Sequence, residues 1–416
     1  MKQTHAVAHL LRLGALYAGL LLLPPLALSA QQTEAPVPPE QETDFADVFR
    51  AWRHKGPPPP VQPNQKMIVA APIIGSNPSA GLLIGAAAQV AFFRGDPATT
   101  RISSGNASLT ISTKKHLVAN VRFSSFSDEN RWFIESDNRF QSTSQDVYGF
   151  GTDTPSESAV DTKYNFVRLH ETIARHLRRD LYIGGGFLFD SHTDVRPAVE
   201  SDPKWSTSPY ITYSQQNGFP ISGQQSSGFS LNMLLNRRDN DISARRGWRL
   251  SSEYRVSFDG FLGGDSSWHE LDADARAYVP LTTYGRHRIA FWTYTKLVTK
   301  GVAPYFDVPT TAMDTYGRSA RGYQEGRYRG EHLVYGETEY RGPIMRNGLV
   351  GMVGFVTITT VSNKQTGEKL FDSVAPSAGG GLRLLLSKHS RTNLCLDFAW
   401  GKDGSTGVYL AIQDAF

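Results

Sequence analysis

The chain of 416 residues contains one cysteine, Cys395. A lone thiol closes no intramolecular disulfide, and it excludes a metal centre built from several cysteines. Long apolar runs are also scarce. The residues AVILMFWYC make up 40% of the chain and the mean hydropathy is −0.34. A bundle of membrane-spanning helices, which needs repeated runs of roughly 20 apolar residues, is therefore excluded. Charge of one sign is lacking too: the formal net charge is only +4 and it is dispersed, so nucleic acid is not expected as a partner. No G-x-S-x-G elbow occurs, and His-x-x-x-His spacing is absent near paired acids. Neither catalysis, a cofactor nor a metal is expected. Glycine, by contrast, is plentiful at 38, as are Tyr at 17 and Phe at 22.

Residues 1–30 read as a secretory signal. Lys2 and Arg12 supply positive charge, Leu13–Leu23 form an apolar core, Pro24-Pro25 break it, and Ala27-Leu28-Ser29-Ala30 has the small residues of a cleavage site. The core is only about 11 residues long, short for a membrane span. Residues 31–66 are a Pro-, Glu- and Gln-rich extension, with a stiff stretch at Pro57–Pro60. Within it Phe45, Val48, Phe49 and Trp52 recur at helical spacing. They mark either one short amphipathic helix or part of a disordered tether.

From Met67 the texture changes. Segments of about 10 to 14 residues alternate apolar and polar between turn signals, and sixteen can be counted from Met67 to Phe416. Trp248, Leu250, Tyr254, Val256 and Phe258 share one face, opposite Arg249, Glu253 and Arg255. Leu271, Ala273, Ala275, Ala277 and Val279 oppose Asp272, Asp274 and Arg276. Charged rows backing apolar rows fit a polar lumen inside an apolar exterior. The long connections Ser142–Thr162, Ser191–Ser227, Lys300–Glu331 and Ser362–Pro376 all fall on one side of a sixteen-strand count, and the short turns fall on the other. The fold class is thus all-β: a transmembrane antiparallel barrel of about 16 strands over residues 67–416. Closure pairs every backbone group without disulfides.

Four segments carry a resemblance to a known family. Pro72-Ile73-Ile74-Gly75-Ser76-Asn77-Pro78-Ser79-Ala80-Gly81 is similar to an opening P-x-x-x-x-x-P-x-x-G hairpin. Asn236-Arg237-Arg238-Asp239-Asn240, followed by Arg246-Gly247, resembles a D-x-R-D-N…G turn, marking Arg238, Asp239, Asn240 and Gly247. Ala320-Arg321-Gly322-Tyr323 is similar to a V-R-G-F/Y loop tip. Gly379-Gly380-Gly381-Leu382-Arg383, then Leu396-Asp397 and a terminal Phe416, complete the set. In order and spacing they resemble the bacterial surface antigen family of BamA- and TamA-type outer-membrane barrels.

The resemblance implies that the Arg321-Gly322-Tyr323 loop folds back into the lumen and that Arg321 pairs with acids on late strands. Alternation turns Glu339, Asp397 and Glu337 inward, and they are the candidate partners in that order. Gly379–Gly381 thin one wall, where the loop could approach. The alternative leaves Arg321 in a solvated outer loop. The resemblance also makes Phe416 a terminal insertion signal, with Val408, Leu410 and Ile412 preceding it on the same face. Pro72, which cannot donate to a ladder, marks a short, weakly bonded seam between the first and last strands.

The sequence departs from the family pattern twice. In Phe355-Val356-Thr357-Ile358-Thr359, Thr357 stands where many members carry an acid. The extension 31–66 is also too short for a POTRA domain, the periplasmic module of assembly and secretion members. Elsewhere the chemistry is thin. Ser191-His192 beside Asp194 is the best nucleophile-like cluster, placed at the start of a loop. Asp272 and Asp274 read as pore-wall acids paired with Arg276 and neighbouring arginines. Arg237-Arg238 and Arg245-Arg246 form a basic turn suited to solubility, or to lipid head groups or a partner.

The expected function is help with protein or lipid insertion or translocation at the Gram-negative outer membrane, with the extension in the periplasm. The alternatives are a passive or substrate-specific channel plugged by the loop, and a structural surface antigen. Expected partners are outer-membrane lipids and a periplasmic or outer-membrane protein.

Overall fold

The computed structural model describes residues 41–56, 66–77 and 81–416. The expected secretory segment and Pro57–Pro60 lie outside them. Sixteen strands follow in order: β1 Met67–Asn77, β2 Gly81–Phe92, β3 Ser103–Ser112, β4 Leu117–Phe126, β5 Trp132–Val147, β6 Val160–Arg178, β7 Leu181–Pro197, β8 Gly223–Asn236, β9 Gly247–Ser257, β10 Trp268–Pro280, β11 Arg288–Lys300, β12 His332–Pro343, β13 Val350–Val361, β14 Ala375–Ser387, β15 Thr392–Gly401 and β16 Thr406–Ile412. Each pairs antiparallel with its neighbours in one sheet running β1 to β16. Helix α1, Phe45–Trp52, precedes the barrel, and helix α2, Pro209–Asn217, interrupts the β7–β8 connection.

Alternation does what the sequence demands of it. On β9, Trp248 and Tyr254 face out while Arg255 is buried. On β15, Phe398 and Trp400 face out while Cys395, Asp397 and Ala399 are buried. The outward rows carry exposed large apolar side chains on strands around the wall, among them Ile111, Ile173, Leu231, Val356 and Val408. Such a wall is stable against lipid and not against water. The sheet is a nearly closed barrel. Among the described residues, no ladder joins β1 to β16, so the two form its free edges.

The expected loops need correcting at one end. β5, β6 and β7 run for 16, 19 and 17 residues, well past their expected limits. Much of the expected Ser142–Thr162 and Ser191–Ser227 loops is therefore strand. Their added residues are largely polar, so they lack the apolar row by which a spanning strand is recognised. The inner faces at this end hold loops: Val147, Val160 and Val195 of the extensions, with Tyr164 and Phe166 beside them, pack with Tyr210, Tyr213, Tyr305 and Phe306. α2 begins with Ser208 as its cap and Pro209 in its first turn, and ends on Gly218 in the left-handed region, where glycine carries no Cβ penalty. Tyr213 donates to the Ala303 carbonyl at 2.8 Å, tying the β7–β8 loop to the β11–β12 loop, 301–331.

The chain end also differs from expectation. β16 stops at Ile412. Val408 and Leu410 face out, but Phe416 is buried on the lumen side, stacked on Trp292 at 5.2 Å. Arg341 explains the turn inward: its Nη2 donates to the Phe416 carbonyl at 2.9 Å, and its guanidinium lies 4.7 Å from the ring centre.

Candidate functional site

The late strands build one charged wall by register alone. Glu337 lies opposite Thr357, and Thr357 opposite Ser377. Glu339 lies opposite Phe355, and Phe355 opposite Gly379. Gly381 faces Asp397, and Asp397 faces Tyr409. Because strand side chains alternate, these rows all point to the lumen.

Loop 301–331 enters the barrel and meets that wall. Residues 320–323 form a tight turn in which Tyr323 N–H donates to the Ala320 carbonyl at 3.0 Å. Gly322 sits at the third position with φ of 103°, a conformation that suits glycine. Arg321 is thereby carried to the tip. It is 1% exposed. Its Nη1 donates to Asp397 Oδ2 at 2.8 Å, and its Nη2 donates to Glu339 Oε2 at 2.5 Å and to Glu337. The guanidinium carbon lies 3.5 Å from the Phe355 ring centre, a cation–π contact in a site sealed from water. The structure thus brings Arg321 together with all three candidate carboxylates, not in a solvated outer loop.

Main-chain contacts lock the same turn. Ser377 Oγ donates to the Arg321 carbonyl at 2.5 Å and, with that proton committed, accepts from Thr357 Oγ1 at 2.6 Å. Thr357, where the family pattern favours an acid, therefore serves the loop backbone, while the charge is met from β12 and β15. Gly322 N–H donates to Tyr409 Oη at 2.8 Å, and its carbonyl accepts from Ser405 Oγ at 2.6 Å. Tyr323 Oη donates to the Pro376 carbonyl and accepts from Lys402 N–H at 2.7 Å.

The thin wall works differently from expectation. A Cβ on Gly379 would stand 2.4 Å from the Phe355 ring, and one on Gly381 would stand 1.9 Å from Asp397 Oδ1. The missing side chains make room for the ring beneath Arg321 and for the carboxylate beside it. The loop's own close approach is at Gly401, where a Cβ would lie 2.5 Å from the Tyr323 ring.

Burying this much charge demands balance. Arg341 Nε donates to Glu339 at 2.5 Å, Arg383 Nη1 to Asp397 at 2.5 Å and Arg383 Nε to Asp414 at 2.7 Å. Asp414 also accepts from Ser243 Oγ at 2.7 Å. Burial works to raise the Asp414 carboxyl, but Arg341, Arg383 and Arg288 outweigh it and hold it well below the usual range. Sequence reasoning missed Phe355, Ser377, Tyr409, Arg341, Arg383 and Asp414 as members of this network. The available signal was strand parity: the five in strands lie on the inward rows, beside the predicted acids.

The other marked residues sit at the opposite end. Asp239 accepts from Arg245 and Arg246 N–H and pairs with Arg391 at 2.7 Å. Asn240 Oδ1 caps the Ile242 and Ser243 amides at 2.9 and 2.8 Å. Arg238 pairs with Asp241 at 2.9 Å. Gly247 has φ of 98°, and a Cβ there would meet the Arg237 carbonyl at 2.1 Å. The turn thus tucks Ile242, Ser243 and Ala244, all buried, into the base of the barrel. Pro72 is exposed on edge strand β1, opposite Ala86.

The Ser191-His192-Asp194 cluster does not converge. All three residues lie in β7 rather than at a loop start. His192 is stacked between Phe166 and Phe306 at 4.4 and 4.7 Å, while Asp194 pairs outward with Arg196. Asp274 binds Arg276 at 2.7 Å, but Asp272 takes Lys296 at 2.8 Å rather than an arginine.

Higher in loop 301–331, Asp307 is buried and accepts from Ser226 Oγ, while its Oδ1 has no partner among the described residues. Burial, with the Asp190 charge adding to it, pushes its carboxyl up to about 7 from an ordinary 3.8. Folded Asp307 therefore holds a proton that the unfolded chain would release, so its contribution to stability falls as pH rises from near 3.8 through about 7. Loop 301–331 is expected to resist protease better at about pH 6 than at about pH 8. Asp307→Asn should flatten that difference, as read by a timed digest at both pH values.

Residues 103–413 match the Omp85 superfamily domain. The chain belongs to the Omp85 superfamily. Solved Omp85-like barrels agree in fold. BamA from Haemophilus ducreyi lacking POTRA domains 1–3 aligns with a TM-score of 0.51 at 15% identity, covering 84% of this chain and 69% of that one. CdiB from Acinetobacter baumannii aligns at 0.53 and 14%, covering 84% and 59%. CdiB from Escherichia coli aligns at 0.52 and 10%, covering 86% and 63%. The chain therefore spans about three-fifths of the length of the CdiB proteins it matches. No curated protein matches the sequence. This Omp85 chain is an outer-membrane β-barrel.

Proposed function

We propose that this barrel assists insertion or translocation of protein or lipid at the outer membrane, acting through the β1–β16 seam. Turns and α1 would face the periplasm, and the long loops would face outward. The observation that carries the reading is the free pair of edges. Strand β16 has seven residues, and among the described residues it pairs only with β15. An unpaired edge is a template for another strand, and here it lies beside lipid. The Arg321 latch holds the neighbouring wall, β12 to β16, in one shape while the edge is free. A lipid surface and a periplasmic or outer-membrane protein are the partners this reading requires.

Paired cysteines scanned along β1 (Val69, Ala71, Ile73) against Ala411 of β16 test it in proteoliposomes. The readout is folding of an urea-denatured eight-stranded barrel as client. Oxidation of the efficient pair is expected to reduce client folding at least several-fold, with recovery on reduction. Efficient oxidation with unchanged client folding would count against a gating seam.

A further inference from the structure

We infer that α1 is an interfacial anchor, fixed to the turn end of the barrel by its acidic N-terminal side and seated on anionic lipid by its apolar face. The helix is built for attachment at one end. Asp44 caps it by accepting from Asp47 N–H at 2.8 Å, and Asp47 returns the bond to Asp44 N–H at 3.2 Å. The flanking acids then bind the rim. Glu42 takes Arg245 through both carboxylate oxygens at 2.8 Å and Arg286 at 3.4 Å. Asp47 takes Lys388 Nζ at 2.7 Å, Asp44 accepts from Lys388 N–H at 2.8 Å, and Thr43 N–H donates to the Asn347 carbonyl at 2.9 Å. The basic turn is thus occupied from within the chain.

The rest of the helix is uncovered. Phe45, Val48, Phe49 and Trp52 lie at i, i+3, i+4 and i+7 on one face and are 48%, 41%, 44% and 72% exposed. A core-facing helix would bury that stripe. The acids are spent on the rim, so the charges left on the helix and just past its end are Arg50 on the polar face, Arg53 and Lys55, with Arg53 over the Phe49 ring at 5.0 Å. An aromatic stripe flanked by cations is the pattern of a helix lying in a membrane interface, where tryptophan favours the headgroup level. The docking site continues an interface already present. The β12–β13 turn that holds Thr43 also exposes Ile344 and Met345, beside the outward apolar row of the wall. Charge and continuity both select lipid.

The test uses the whole chain reconstituted at one barrel per nanodisc, with a spin label at Val48→Cys or, as a control off the stripe, Ala46→Cys. Buried Cys395 stays in place. In discs containing phosphatidylglycerol, the Val48 label should be open to oxygen and several-fold protected from a water-soluble nickel relaxant. The Ala46 label should show the reverse preference. Replacing phosphatidylglycerol by phosphatidylcholine, or making Arg50→Gln with Arg53→Gln, should raise nickel access at Val48 several-fold. Three results overturn the inference. Nickel access equal to that of Ala46 means the stripe faces water. Protection from both relaxants means a protein segment covers it. An oxygen signature insensitive to lipid charge and to both arginine changes removes the anionic selectivity. Unchanged heat-modifiable migration in each variant verifies that the barrel is folded.

Discussion

Arg321→Ala is expected to free loop 301–331 from the late strands and to cost about 3–5 kcal/mol, the range for stripping one partner from a buried ion network. The cost falls unevenly. Glu339 keeps Arg341 and Asp397 keeps Arg383, whereas among the described residues Glu337 is left with only the Tyr335 hydroxyl. Neutralising the stranded acid should therefore recover part of the loss, so Arg321→Ala with Glu337→Gln should be more stable than Arg321→Ala alone. Arg321→Lys should rescue little. One ammonium cannot fork to three carboxylates or lie flat on Phe355 as a guanidinium does. Heat-modifiable migration and the urea midpoint measure stability, and trypsin cleavage within 301–331 reports the loop. The same variant separates the functional readings. Lost client folding at unchanged single-channel conductance supports action at the seam, whereas a large rise in conductance supports a plugged channel. No change in either would sink both.

Much of this site was legible because a strand has a period of two. Once the segments of β12 and β15 were recognised, parity alone turned Glu337, Glu339 and Asp397 to the lumen. The inward fold of the Arg321-Gly322-Tyr323 loop was legible only through the family resemblance, with Gly322 allowing its tight backbone. Parity does not reveal which inward residue meets which across sixteen strands, because that depends on register and on how deep a loop descends. Ser377 and Tyr409 consequently carried no mark, and Arg383 was marked only as the end of the Gly379–Arg383 motif. Among the expectations that failed, two show the cause plainly. The outer halves of β5 to β7 stand where lipid no longer selects apolar side chains, so their strands read as loop. Phe416 continues an apolar spacing on paper, but Arg341 captures its carbonyl and draws the chain end inward. The Arg238-Asp239-Asn240 turn was legible through its family resemblance, but its descent into the base of the barrel was not, because Ile242 to Ala244 give no local sign of burial.

The three consecutive glycines of β14 should respond to one added methyl group in a pattern set by face. Gly380 points outward, where a Cβ would find only the Val353 carbonyl at 3.2 Å. Gly380→Ala should shift stability by less than about 1 kcal/mol. Gly379 and Gly381 point inward against things that cannot yield. A Cβ on Gly379 would stand 2.2 Å from the Phe398 carbonyl oxygen as well as against the Phe355 ring, and one on Gly381 would stand 2.6 Å from the Leu396 carbonyl oxygen as well as against Asp397. Relief requires β14 and β15 to separate locally and the ring or carboxylate to leave Arg321. Overpacking alone costs about 1–3 kcal/mol, and loosening the latch adds to it. Gly379→Ala and Gly381→Ala should therefore both lower the urea midpoint and expose loop 301–331 to trypsin, while Gly380→Ala does neither. If all three behaved alike, β14 would be intolerant for backbone reasons. If Gly381→Ala were silent, Asp397 would have room to move and would not be fixing Arg321. In Gly381→Ala, adding Asp397→Asn should restore little, because the side chain it displaces keeps its volume. That outcome separates a steric origin from an electrostatic one.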